Sequence, residues 1–124
     1  MKETKKNSLL IVDDEKSNLK ILTHILSPEY TVYTAKDGVD AIKKAKEYLP
    51  DVILLDIIMP EMDGWETYNK IRGIDALQTV PIVFVTALNG EFEKKHAHDI
   101  GAADFITKPY KKDDLIHRIG QIIN

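Results

Sequence analysis

No cysteine occurs in this chain, which removes disulfides, thiol nucleophiles and thiolate metal sites from consideration. A reducing compartment fits that composition. Long apolar runs are lacking too. No stretch approaches the ~20 residues needed to span a bilayer, and the polar start from Met1 to Ser8 is not backed by an apolar segment of signal-peptide type. A cytoplasmic protein without a membrane segment is expected. Nor is positive charge in excess: net charge is −3, and beyond the first six residues the chain holds 14 basic and 19 acidic residues. DNA binding draws most of its non-specific affinity from clustered Lys and Arg, so direct nucleic-acid binding is not expected. The short basic start reads as a solvated terminus, which puts a flexible segment at residues 1–7.

What is present is the balance of an ordinary globular protein. The 124 residues are 44% hydrophobic and 30% charged, enough for one domain that buries about 65% of its unfolded surface. That domain is expected over residues 8–124.

Three short, uninterrupted apolar runs, Leu9 to Val12, Val52 to Leu55 and Ile82 to Val85, read as strands covered on both faces, the pattern of a parallel sheet between helices. Thr31 to Thr34 mixes polar and apolar residues, as a strand at a sheet edge would, and Ala103 to Thr107 is a weaker fifth candidate. Between them lie apolar residues at helical spacing: Leu19, Leu22 and Leu26; Val39, Ile42, Ala45 and Leu49; Leu115, Ile119, Ile122 and Ile123. Pro28 and Pro50 end two of these stretches. The segment Glu91 to Ile100 offers only Phe92, Ala97 and Ile100 as an apolar face, so its helix should be the least firmly packed and mobile.

Five alternations of strand and helix are buried most stably as parallel neighbours joined by crossovers. The expected fold is α/β: a five-stranded, doubly wound parallel sheet of flavodoxin-like order 2-1-3-4-5.

In such sheets ligands bind beyond the carboxyl ends of the strands. There stand Asp13 and Asp14, then Asp56, Thr86, and finally Lys108 with Pro109. Crowded carboxylates repel one another, and a hard divalent cation with oxygen ligands offsets that; Mg²⁺ suits a site that also receives a phosphoryl group. Asp56 is the candidate nucleophile, able to form an aspartyl phosphate. The Lys108 ammonium and the Thr86 hydroxyl would each hold a phosphoryl oxygen, with catalysis by positioning and electrostatics.

The motifs IVDDE (Ile11 to Glu15), LLDIIMPEMDG (Leu54 to Gly64), VTA (Val85 to Ala87) and GAADFITKP (Gly101 to Pro109) together resemble the receiver domains of two-component response regulators, over the chain from about Ser8 onward. The resemblance implies Asp56 as phosphoacceptor, Asp14 as direct metal ligand, Asp13 assisting through water, and the Ile58 backbone carbonyl completing the protein's ligands to Mg²⁺, with Mn²⁺ as an alternative. It implies Lys108 as the phosphate-binding lysine before a cis Pro109, Ala87 beside the path of phosphate access, and Thr86 with Phe105 as a coupled switch pair. Their repacking would reshape the face built by the fourth helix, fifth strand and fifth helix. A histidine kinase or histidine phosphotransfer protein would be the donor and an effector protein or domain the reader, with a homodimer through the same face as an alternative use. The chain would act catalytically only on itself.

This sequence departs from the pattern at two positions. Ile58 and Leu88, two beyond Asp56 and two beyond Thr86, are apolar where many relatives carry polar or charged residues. Neither can orient water, so a long-lived aspartyl phosphate is expected.

Plainer readings compete residue by residue. Asp13 and Asp14 could begin the first helix as caps, the role expected of Glu15, but capping asks nothing of Asp56 or Lys108. Asp63-Gly64 and Asp37-Gly38 read as turns in which Gly supplies permissive dihedrals. Phe105 could be core, and without a hydroxyl it can switch only by packing. His96 and His98 are two apart, cannot share an ion on a helix, and read as surface residues; His24, in an otherwise apolar helix stretch, reads as a surface or partly buried structural residue rather than a phosphorylatable one, while Trp65 and Tyr68 read as packing residues of the third helix. Among rival functions, an Asp-nucleophile phosphatase commonly places a second Asp where Ile58 stands. A flavodoxin-like nucleotide binder needs a Gly/Ser/Thr-rich loop where Asp13 and Asp14 stand. A pseudo-receiver needs no intact acidic set.

Overall fold

The computed structural model describes residues 6–124. Strands β1 (Ser8–Val12), β2 (Thr31–Ala35), β3 (Val52–Leu55), β4 (Ile82–Thr86) and β5 (Asp104–Thr107) alternate with helices α1 (Lys16–Leu26), α2 (Gly38–Tyr48), α3 (Gly64–Arg72), α4 (Glu91–Asp99) and α5 (Lys112–Ile123). A 3-10 turn, Asp75–Leu77, follows α3; no sequence signal above marks it. The strands form one sheet in the order β2-β1-β3-β4-β5 with every pairing parallel, the expected arrangement. The flexible start expected over residues 1–7 falls largely on residues 1–5, outside the described residues; the Asn7 carbonyl accepts from the Thr31 N–H at 2.9 Å.

Alternation along the central strands divides the core in two. Leu10, Val12, Ile53, Leu55 and Phe84 pack beneath Ala41 and Ala45 of α2, Tyr68 and Ile71 of α3 and Ala97 of α4. On the other face Leu9, Ile11, Leu54, Val83 and Val85 pack beneath Leu22 and Leu26 of α1 and Leu115 and Ile119 of α5. Both faces of β1, β3 and β4 are therefore dry, which is why their sequences run apolar without a break.

The expected apolar stripe of α2 is corrected. Val39 is 65% exposed and Leu49 54% exposed; Leu49 is the C-cap, in the left-handed region at φ 47°. The buried face is Gly38, Ala41 and Ala45, small residues that let α2 approach α3. A Cβ on Gly38 would stand 2.7 Å from the Met62 sulfur. In α4 only Ala97 is buried; Phe92, expected on its inner face, is 76% exposed.

Asp37 and Asp63 are N-caps: their Oδ1 atoms accept from the Asp40 N–H at 2.8 Å and the Glu66 N–H at 3.0 Å. The glycines after them are the first residues of α2 and α3, so the expectation of turns needing permissive dihedrals gives way to close approach. A Cβ on Gly64 would collide with the Asp56 carbonyl oxygen and stand 2.6 Å from the Ile57 Cα. Gly64 thereby seats the start of α3 against the end of β3.

Candidate functional site

Each polar group of interest leaves the sheet where a strand ends. Asp13 and Asp14 follow β1, Asp56 follows β3, Thr86 closes β4, and Lys108 follows β5 with a cis bond to Pro109. The Lys108 N–H donates to the Thr86 carbonyl at 2.8 Å, continuing the ladder and fixing where the lysine stem departs. One carboxylate oxygen each from Asp13, Asp14 and Asp56 lie within 4.8 Å of one another. Asp13 (1% exposed) and Asp56 (7%) are buried, while Asp14 is open to solvent.

Lys108 is the cation facing this group. Its Nζ donates to Asp13 Oδ2 at 2.7 Å and to Asp56 Oδ2 at 3.1 Å. Burial of the ammonium favours the neutral form, but the bond to Asp13 and the charge of Asp56 outweigh it, and the Lys108 pKa is raised above its ordinary value. Two full charges at this spacing repel by about 3–4 kcal/mol at an effective dielectric near 20. One ammonium against three carboxylates leaves negative charge to spare, and this oxygen-only donor set fits a hard divalent cation.

The remaining valences are filled locally. Asp13 Oδ1 accepts from the Glu15 N–H at 2.9 Å and Asp13 Oδ2 from Asn18 Nδ2 at 3.2 Å; Asp56 Oδ1 accepts from the Ile57 N–H at 2.7 Å. Asn18 is absent from the sequence reading. Its signal is a short amide side chain in the first turn of α1, five residues past Asp13, which can reach back to the preceding loop. Glu15, expected to cap α1, occupies the N-cap position but makes no side-chain capping bond; its own N–H is held by Asp13 instead.

Thr86 is fully buried, and its Oγ1 accepts from the Leu88 N–H at 3.3 Å. Phe105 lies on β5, partly buried against the cluster under α2, α3 and α4, with its ring 6.3 Å from that of Phe84. Ala87 is exposed just past β4, and Ile58, two residues past Asp56, is 57% exposed. His24, His96 and His98 are on the surface, as expected; the His96 ring stands edge-on to Trp65 at 4.6 Å. Tyr68 is buried, its hydroxyl donating to the Ile100 carbonyl at 2.9 Å.

A family model described as response regulator receiver domain matches residues 9–120. The chain is 39% identical over 112 residues to the response regulator PleD of Caulobacter vibrioides, covering 90% of this chain and 25% of that protein. It is 37% identical over 116 residues to the alkaline phosphatase synthesis transcriptional regulatory protein PhoP of Bacillus subtilis, covering 93% of this chain and 48% of that one. It thus spans between a quarter and a half of these relatives. Among solved structures, the chemotaxis protein CheY4 of Vibrio cholerae superposes with a TM-score of 0.89 at 29% identity, covering 95% of this chain and 99% of that one. The signal receiver domain of a signal transduction histidine kinase from Syntrophus aciditrophicus gives 0.84 at 31% identity, covering 94% and 89%.

Proposed function

Because the chain belongs to the response regulator receiver domain family, whose members are phosphorylation-activated signalling switches rather than metabolic enzymes, we propose that Asp56 is its phosphoacceptor and that a histidine kinase or a histidine phosphotransfer protein is the donor. The observation that carries this reading is the Lys108 ammonium shared between Asp13 and Asp56, beside three carboxylates gathered within 4.8 Å. An Asp56 carboxylate oxygen attacks phosphorus, the P–O bond forms as the P–N bond to the donor imidazole breaks, and the imidazole, protonated by solvent on its other nitrogen, leaves as the neutral ring.

Asp13, Asp14, Asp56 and the Ile58 carbonyl would hold Mg²⁺, or Mn²⁺ in its place, which when bound supplies charge neutralisation for the transferring phosphoryl oxygens. Lys108 holds one phosphoryl oxygen electrostatically, and exposed Ala87 leaves the approach open. Thr86 gives up the Leu88 N–H and turns its hydroxyl to another oxygen; the Phe105 ring packs into the vacated space and alters the face of α4, β5 and α5. There an effector, or a second copy of the chain, reads the state. Phosphorylation does this by favouring one of two pre-existing states, and moving a 1:99 population to 99:1 takes about 5.5 kcal/mol of differential interaction. A cytoplasmic location belongs to the same reading; no helix among the described residues is long and apolar enough to cross a membrane.

The test is incubation with Mg²⁺ and acetyl phosphate followed by intact mass measurement. One added phosphoryl group, absent in Asp56→Asn and without Mg²⁺, is expected. Uptake that survives Asp56→Asn would refute the assignment.

A further inference from the structure

Helix α1 is electrostatically unlike the other four. Each of α2, α3, α4 and α5 carries an opposite-charge pair one turn apart: Asp40–Lys44, Glu66–Lys70, Lys95–Asp99 and Asp114–Arg118. Each also has an acidic residue in its first turn. At the same spacing α1 has Lys16, Lys20 and His24, all exposed, with no ion pair among the described residues and no acid in its first turn. Like charges at that spacing, and a lysine at a helix N-terminus, both cost stability. The net charge of the chain is −3, so this row is local.

The row forms one wall of a groove of about 650 Å³ whose apolar floor is Leu19 and Val32. The opposite wall is the open edge of the sheet. The bonds from the Thr31 N–H to Asn7 and from the Asp13 N–H to the Ala35 carbonyl, with the parallel register, turn the peptide groups of Thr31, Tyr33 and Ala35 toward β1. Those of Val32 and Thr34 point outward. Lys44 Nζ covers the Thr34 carbonyl at 2.6 Å; the outward Val32 N–H and carbonyl take no hydrogen-bond partner among the described residues. This groove lies apart from the cleft on the α5 side of α1, which includes Ile21, Ile25, Lys108 and Tyr110.

We propose that the groove between α1 and β2 receives an extended, acidic segment of a partner protein, its main chain pairing with Val32 and its carboxylates meeting Lys16 and Lys20. A fluorescein-labelled peptide alternating glutamate and valine serves as probe, with fluorescence anisotropy on the full chain. Expected are binding that weakens with added salt, a loss of about tenfold in Lys16→Gln/Lys20→Gln, little change in Lys112→Gln on the far side of α1, and a shift of the Val32 amide resonance. Glutamine keeps helix propensity, so the double variant folds, which its circular dichroism verifies. Equal binding by a peptide with glutamine for glutamate, wild-type affinity in the double variant, or an unmoved Val32 amide would overturn the proposal. So would a dimer that the double variant disperses, which gives the groove to a second copy, or co-sedimentation with phosphatidylglycerol vesicles and indifference to the peptide, which gives it to a lipid surface.

Discussion

Lys108 and Asp13, 95 residues apart in sequence, are joined by a contact of 2.7 Å, shorter than the lysine's contact with Asp56. The ammonium thus serves two buried aspartates together, and its removal strips charge compensation from both.

In Lys108→Met, Asp13 keeps only the Glu15 N–H and Asn18 as partners, and stability should fall by about 1–3 kcal/mol. With the competing ammonium gone, the acidic group takes Mg²⁺ more strongly, so the ion should stabilise the variant by more than it stabilises the wild type. Urea unfolding with and without Mg²⁺ measures both effects. A smaller Mg²⁺ response in the variant would contradict the account of the site.

Gly64 is irreplaceable for a steric reason. In Gly64→Ala the new Cβ meets backbone at Asp56 and Ile57, and backbone cannot swing aside as a side chain can. A loss of about 2–4 kcal/mol is expected, with slowed uptake of phosphate from acetyl phosphate. Gly73→Ala is the control, since its nearest neighbour would stand at 3.5 Å; equal losses in the two would remove the argument.

Ile58, 57% exposed, and Leu88 flank Asp56 and Thr86 without a polar atom in their side chains. Hydrolysis of an aspartyl phosphate needs an oriented water, and Ile58→Asn should shorten the phosphoryl lifetime severalfold. Decay of the labelled protein after removal of the donor gives the rate; an unchanged or slower decay would count against the idea.

Tyr30 gives stability an alkaline limit. Burial first, and then the charge of Glu29, raise its pKa above 10.0. The folded state therefore holds the phenolic proton longer than the unfolded state does. That stability is complete below pH 10.0 and is lost as pH rises through the folded value. Tyr30→Phe should lose less stability than the wild type between about pH 9 and about pH 11. Equal losses, followed by urea unfolding, would show that Tyr30 does not contribute.

What the sequence exposes well is whatever repeats or stands at a strand end. Leu9 to Val12, Val52 to Leu55 and Ile82 to Val85 are apolar because helices cover both their faces, and the residues after them are polar because they leave the core. Asp13, Asp14, Asp56 and Lys108 come together as their positions in those motifs imply.

Periodicity misled where size mattered more than hydrophobicity. In α2 the larger residues Val39 and Leu49 look outward, because the space against α3 admits only Gly38, Ala41 and Ala45. Phe92 is exposed for a related reason: α4 meets the sheet through a single alanine, and its phenyl ring stacks on His96 instead. Partners set by how the chain turns back on itself were less legible. Asn18 lies only five residues past Asp13, and Gly64 shares a motif with Asp56, yet neither the return of the Asn18 amide to that carboxylate nor the packing of Gly64 on the Asp56 backbone is written in residue type or spacing.

The candidate groups are dispersed over four strand ends, so no partial sheet can assemble them. Lys108, which bridges Asp13 and Asp56, stands just past β5, and the cluster therefore acquires its ammonium only when the sheet's outermost strand has docked on β4.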